Sequence, residues 1–189
     1  MLNAPPLNLT NHFLIATPTM DDPNFAQTVT YICEHNETGA LGIVINRPTS
    51  IHLSEILKQL KIDVIEKEVD ENPVLYGGPI HQERGFVIHH PFGEWRASFS
   101  TADDIVVTTS RDILDAIALN KGPGKMLIAL GFAGWEAGQL EEELTKNIWL
   151  TCPANAEILF ETPFAERWQK AAQIIGVNLS TFSGDIGHA

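Results

Sequence analysis

Positive charge is scarce in this chain of 189 residues: twelve Lys and Arg stand against twenty-four Asp and Glu, a formal net charge of -12. The basic residues are scattered, while acids gather at Glu66 to Glu71 and at Glu141 to Glu143. Such a field repels phosphate backbones and anionic lipid, so direct nucleic-acid binding is disfavoured. Cysteine is nearly absent. Cys33 and Cys152 both sit in apolar runs without C-x-x-C spacing, so buried, reduced thiols in a cytoplasmic protein are expected, and no disulfide or zinc framework. No apolar run approaches the ~18 residues of a membrane span. The first nine residues, with two prolines and no basic start, do not read as an export signal. No spaced Cys/His cluster suggests a metal, and no complete cofactor motif suggests a cofactor.

What is present is a chain 44% hydrophobic, enough to fill one core, without repeats or a long linker. It reads as a single domain over 1–189, with a loose leader at 1–9 and a mobile tail at 177–189. Short β-branched runs predict strands at 12–17, 28–35, 41–46, 74–76, 85–89, 105–109, 126–132, 148–151 and 157–160. Leu53, Ile56, Leu57 and Leu60 fall at i, i+3, i+4 and i+7 and predict a helix. Further helices are predicted after Ser110, which serves as N-cap, over 137–146, and over 164–175 with Gly176 as its stop. The stretch 61–72, rich in acids, reads as an exposed connection. The turn Asn36-Glu37-Thr38-Gly39 is too short for a crossover helix and signals a hairpin. The fold expected is α/β in the α+β sense: a mixed, largely antiparallel sheet curled into a barrel-like core, with about four helices around it.

The densest signal is the run from Leu130 to Glu143, where Gly131, Gly134 and Gly138 accompany Phe132 and Trp135. Glycines at that density mark a path close to other backbone or to a ligand. Three more segments are candidates. Asn46-Arg47-Pro48-Thr49 reads as a strand-to-helix turn, where Arg47 can hold a carboxylate or phosphate. Gly77-Gly78 can offer backbone N–H groups to an anion, although a tight turn explains the pair equally. Ser110 and Arg111 open a helix after a strand, where capping and anion binding compete as explanations. The working group is a ligand groove of Asn46, Arg47, Gly77, Gly78, Ser110, Arg111, Gly134, Trp135 and Gln139. Cys33 and His35, two apart in one strand and so expected on one face, form the alternative: a thiol with a base. The three consecutive glutamates point about 100° apart on a helix and do not converge as a catalytic pair.

Taken in order, Phe13 to Pro18 with Met20, Asp21 and Phe25, then Gly39 to Gly42 with Asn46-Arg47-Pro48, resemble the opening of the AlgH/YqgE family of bacterial proteins. The likeness continues through Gly77-Gly78-Pro79, Arg84-Gly85-Phe86, Thr109 to Asp112, and Leu130 to Trp135 followed by Gly138 to Glu141, ending near Asn147 and Trp149-Leu150. The resemblance implies a mixed sheet curled toward a barrel with helices around it. One branch is named as a regulator of alginate synthesis, and the family brings no catalytic residues to these positions. Phe132 stands where the family usually has Tyr, which removes a phenol. The function expected is therefore regulation or interaction in the cytoplasm, through a protein partner or a small anionic ligand, by a monomer or weak dimer. Direct transcriptional control and an enzyme with a polar or thiol site are the alternatives.

The charge balance generates the first prediction. In a gel-retardation titration at low salt, where phosphate contacts are strongest, the protein is expected to leave duplex DNA unshifted. A salt-sensitive shift would establish a basic face that the sequence conceals.

Overall fold

The computed structural model describes residues 6–65 and 67–181. Ten strands form one continuous sheet: β1 His12–Ala16, β2 Val29–Asn36, β3 Gly39–Val44, β4 Pro48–His52, β5 Pro73–Tyr76, β6 Ile80–His89, β7 Ser98–Ala102, β8 Ile105–Thr108, β9 Met126–Glu136 and β10 Trp149–Pro153. The helices are α1 Leu53–Gln59, α2 Asp112–Ala118, α3 Gln139–Thr145, α4 Ala156–Phe160 and α5 Phe164–Ile174, with 3-10 turns at Lys67–Glu71 and Leu179–Thr181. The sheet runs β10-β1-β2-β3-β9-β6-β8-β7, and the β4–β5 pair joins it through β9. Among the described residues only β5 against β9 is parallel, so the sheet is mixed and largely antiparallel, curled into a half-barrel.

The curl follows from the core. Phe13 of β1, Tyr31 of β2, Ile105 and Val107 of β8 and Leu127 of β9 share one buried cluster, although β1 and β8 are far apart in strand order. Across it, the Tyr31 hydroxyl meets the Thr101 hydroxyl of β7 at 2.5 Å. Ile158 and Leu159 of α4 and Ala171 and Ala172 of α5 pack into the same cluster. On the opposite face α1 and α2 lay Leu53, Leu57, Ile113 and Ile117 on Val87 of β6 and Ile128 of β9. There α3 places Leu140 against Leu14, Ile32, Ala133 and Trp135. Each fully buried Val, Leu, Ile or Phe among these contributes about 1.5–3 kcal/mol.

β9 pairs with β3, β5 and β6, and Gly131 changes which of its residues face inward. Leu127 and Ala129 join the core inside the curl, and Ile128 lies under α1 and α2. Beyond Gly131, at φ +79°, the parity inverts: Phe132 packs inward while Ala133 and Trp135 turn to α3. A Cβ on Gly131 would lie 2.5 Å from the Gly78 carbonyl oxygen, and one on Gly78, at φ +156°, 2.1 Å from the Phe132 carbonyl carbon. The glycine run thus answers to close backbone passage.

Several expectations need correction. Residues 157–160 are not a strand: Asn155 accepts a hydrogen bond from the Ile158 N–H at 2.9 Å and starts α4, an N-cap that competes successfully with the apolar run. Pro48–His52 is strand β4, so the Asn46 to Thr49 segment leads to a strand before the helix. β7 was not expected from the sequence. Ser110 caps no N–H of α2; its hydroxyl donates to Asp112 at 2.5 Å. The stretch 61–72 buries Ile62 and Val69 against α1, and Asp70 accepts from the Ser54 N–H at 2.9 Å. Of the leader, 1–5 lie outside the described residues, while Leu9 is buried beside α3. Of the tail, 182–189 lie outside them too, while Val177 and Leu179 pack on the core. The end of α5 is as read. Gly176, at φ +72°, donates to Gln173 O and Val177 to Ala172 O, the paired bonds of a Schellman motif.

Gly131→Ala is expected to lose about 3 kcal/mol or more in urea unfolding, since strain and overpacking add. Gly85→Ala, with nothing within 4 Å and an ordinary φ, is expected to stay within about 0.5 kcal/mol of the parent. Equal losses would remove the crossing as the reason for the glycines.

Candidate functional site

The nine residues grouped from sequence do not meet in one groove. Asn46 and Arg47, just past β3, fasten the loop before β2. The Arg47 guanidinium donates to the carbonyls of Pro23, Asn24 and Ala26, each at 2.8 Å. Asn46 accepts from the Val29 N–H and donates to Gln27 O, both at 2.9 Å. Tyr76 adds a bond to Asn24 Oδ1 at 2.9 Å. The donors offered to a ligand are therefore largely taken up by main chain. Gly77 donates its N–H to Leu130 O at 2.8 Å and accepts from Val44, so its backbone joins β3 to β9. With Gly78 against Phe132, the pair serves strand contact.

Ser110 and Arg111 border a cavity of about 400 Å³ between α1 and α2, over the outer face of β6 and β9. Its floor is apolar, with Leu53, Ile56, Phe86, Val87, Ile113 and Leu130, and its rim is polar, with Gln59, Gln82, Glu83 and Thr109. The Arg111 side chain is half exposed and reaches Asp115 only at 3.7 Å, a pairing worth little at a surface. Glu83 at the rim is engaged by His81 at 2.9 Å. The groove therefore presents an apolar bed with a cation at one edge.

Gly134, Trp135 and Gln139 line a second cavity of about 270 Å³, with Met20, Asp22, Phe25, Glu143, Ile148 and Trp149. Here Glu143 Oε2 accepts both indole N–H groups, from Trp135 and Trp149, each at 2.8 Å. Gln139 donates to Oε1 at 3.0 Å. An anion has two carboxylates to contend with at this place, so these three residues do not extend the Arg111 site. The sequence reading missed Asp22, Phe25, Glu143 and Trp149. The Gln139 to Glu143 spacing of one helical turn was the available signal. Each of the three glutamates has its own partner: Glu141 meets His35, Glu142 meets Lys146, and Glu143 the indoles.

The thiol and base do not pair. A β-bulge between Ile32 and Glu34 disrupts the strand alternation at Cys33. Cys33 lies in the core inside the curl with its Sγ toward Tyr31 O, and burial pushes its thiol well above the ordinary range. His35 turns to α3: the Leu9 N–H donates to Nδ1 at 3.0 Å, which leaves the ring proton on Nε2 to donate to Glu141 at 2.9 Å. Burial also pushes the Cys152 thiol up to about 11. One further polar chain is present: the Ser98 and Thr108 hydroxyls meet at 2.7 Å, and Thr108 meets His89 Nε2 at 2.8 Å. His89 Nδ1 donates to His90 O at 2.6 Å, and burial holds its pKa below the usual value. The buried His89 and Thr108 are thus satisfied, with the exposed Ser98 at the end of the chain of bonds. Among the described residues no three His, Cys, Asp or Glu side chains are placed to hold a metal.

The comparisons with known proteins agree with this architecture. A family model described as AlgH-like matches residues 13–180. A UPF0301 protein of Nitrosococcus oceani is 57% identical over 179 residues, 95% of this chain and 96% of that protein. One from Thioalkalivibrio sulfidiphilus is 54% identical over 182 residues, 96% and 97% of the two chains. The solution structure of the AlgH protein from Pseudomonas aeruginosa is 50% identical, covers 100% of both chains and superposes with a TM-score of 0.80. The crystal structure of DIP2367 from Corynebacterium diphtheriae, 20% identical over 97% of this chain and 94% of that one, shares the fold with a TM-score of 0.72.

Both thiols are expected to resist iodoacetamide at pH 8 until the protein is unfolded, as read by intact mass, because burial disfavours the reactive thiolate. Rapid labelling of folded Cys33 would restore the thiol chemistry.

Proposed function

The chain belongs to the AlgH-like family, and on that premise we propose that it is a cytoplasmic regulatory or interaction protein that acts by binding a small amphipathic anion, free or carried by a protein partner, in the groove between α1 and α2. The observation that carries this reading is the joining of an apolar bed of about 400 Å³ to the half-exposed Arg111 at its rim. A cavity of that size suits a small organic ligand, with apolar contacts for affinity and a few polar groups for orientation. Thr109, Gln59 and Gln82 supply further hydrogen-bonding groups around the same mouth.

Regulation through such a ligand fits the charge balance better than direct action on DNA, since the field of this chain opposes phosphate. The α1–α2 pair that walls the groove packs on Val87 and Ile128. An occupant that spreads these two short helices alters the surface a partner protein meets.

Calorimetric titration with octanoate tests the reading. Saturable binding is expected, with 1-octanol bound more weakly and Arg111→Ala binding octanoate about tenfold or more less tightly, as loss of a charge-assisted hydrogen bond predicts. Binding unchanged by Arg111→Ala, or no binding at all, would remove the groove as an anion site.

A further inference from the structure

We propose that the cavity walled by Phe25, Trp135 and Trp149 is a second binding site, independent of the α1–α2 groove, and that it takes a methylated ammonium cation. The three rings meet at close to right angles in two of their three contacts. Trp135 and Trp149 have centroids 6.1 Å apart at 76°, and Phe25 and Trp149 have centroids 5.5 Å apart at 81°. Phe25 and Trp135 complete the set at 6.4 Å and 35°. Rings so disposed form a corner, and the adjoining cavity of about 270 Å³ has the thioether of Met20 and the carboxylates of Asp22 and Glu143 around it. The volume lies below the range of about 300–1,000 Å³ usual for drug-sized ligands, so it suits a small head group.

Electrostatics fix the sign of the ligand. Aromatic faces attract cations through their quadrupole, and quaternary ammonium recognition uses such ring cages. Both indole N–H groups here point at Glu143 Oε2, which leaves the ring electrons polarised away from the carboxylate. Among the described residues neither Asp22 nor Glu143 forms an ion pair; Lys146 pairs with Glu142 and feels the Glu143 charge only at longer range.

The ring faces, more than hydrogen-bond capacity, favour the methylated form. A carboxylate oxygen offers two lone pairs. Oε2 of Glu143 spends both on indoles, and Oε1 spends one on Gln139. Asp22 Oδ1 already accepts from the Asn24 N–H at 2.8 Å. A primary ammonium can draw three acceptors from the lone pairs still open, three on the exposed Asp22 and one on Glu143, and gains little from the rings, whereas a trimethylammonium group needs no acceptor and gains from negative potential and the ring faces. Simple core packing explains why Trp135 and Trp149 are only 6% and 3% exposed. Beside them lies a cavity whose edge carries Asp22, a carboxylate outside any ion pair among the described residues.

Tryptophan fluorescence of the full chain, titrated at constant ionic strength, tests the site. Tetramethylammonium and choline chlorides are expected to give a saturable change that ammonium and sodium chlorides do not. Phe25→Leu, which keeps apolar volume and removes one ring, and Asp22→Asn, on the cavity edge, are each expected to weaken binding at least fivefold with the circular dichroism spectrum retained. A trimethyl-lysine peptide bound more tightly than choline identifies a modified protein as the source of the head group, and the reverse order identifies a free metabolite. No saturable change, an equal response to ammonium, or binding untouched by both substitutions would overturn the proposal.

Discussion

The structure depends on one contact of main chain with main chain, where Gly77 and Gly78 pass Gly131 and Phe132 at distances that exclude any Cβ. That crossing lets β9 accept β5 in parallel while β3 and β6 pair with it antiparallel. The left-handed turn at Gly131 then rotates the second half of β9, which sends Trp135 outward to α3 and keeps Phe132 in the core. The groove under α1 and α2 and the aromatic corner under α3 both lie along this strand, one before the turn and one after it. The left-handed Gly131 lies between them.

A second constraint is how few cations the chain has to spend. Two arginines serve main-chain carbonyls with no carboxylate paired to them among the described residues. Arg47 holds the loop at 23–26. The buried Arg167 donates to Thr162 O at 2.9 Å and Ile45 O at 2.6 Å and lies 4.4 Å over the Phe164 ring. Burial pushes its pKa down to about 10, so it still carries its charge at neutral pH. Carbonyls satisfy guanidinium donors without closing an ion pair, and this leaves acidic groups such as Asp22 and Glu143 outside any salt bridge.

Much of the architecture was legible in the sequence because its signals are local. The hairpin turn at 36–39, the i, i+4 spacing of Leu53 and Leu57, and the Gly176 stop each act within a few residues. Residues 157–160 misled because four residues carry no reliable period, and the cap at Asn155 decided the matter. The sites were legible only in part. Glycines at 77, 78 and 131 announce close approach, and only tertiary placement says that the neighbour is backbone. Arg47 has the chemistry of an anion ligand, yet its partners come from residues twenty-one to twenty-four positions earlier. The Cys33 and His35 pair failed on a β-bulge, which inserts one residue and breaks the alternation that the reading assumed. Phe25 and Trp149 are more than a hundred positions apart, and no linear pattern brings them together.

The order of strands along the chain has a consequence for biosynthesis. β9 is the common neighbour of β3, β5 and β6, and β10 pairs with β1. The central strand therefore follows β3, β5 and β6 in synthesis, and one edge of β1, whose other edge pairs with β2, waits for β10, the last of the described strands. Until β9 is made, β3, β5 and β6 present unpaired backbone groups, the condition in which nascent chains associate wrongly. An excess of negative charge keeps such half-made chains apart through mutual repulsion, so the acidity that shapes the finished surface also guards its assembly.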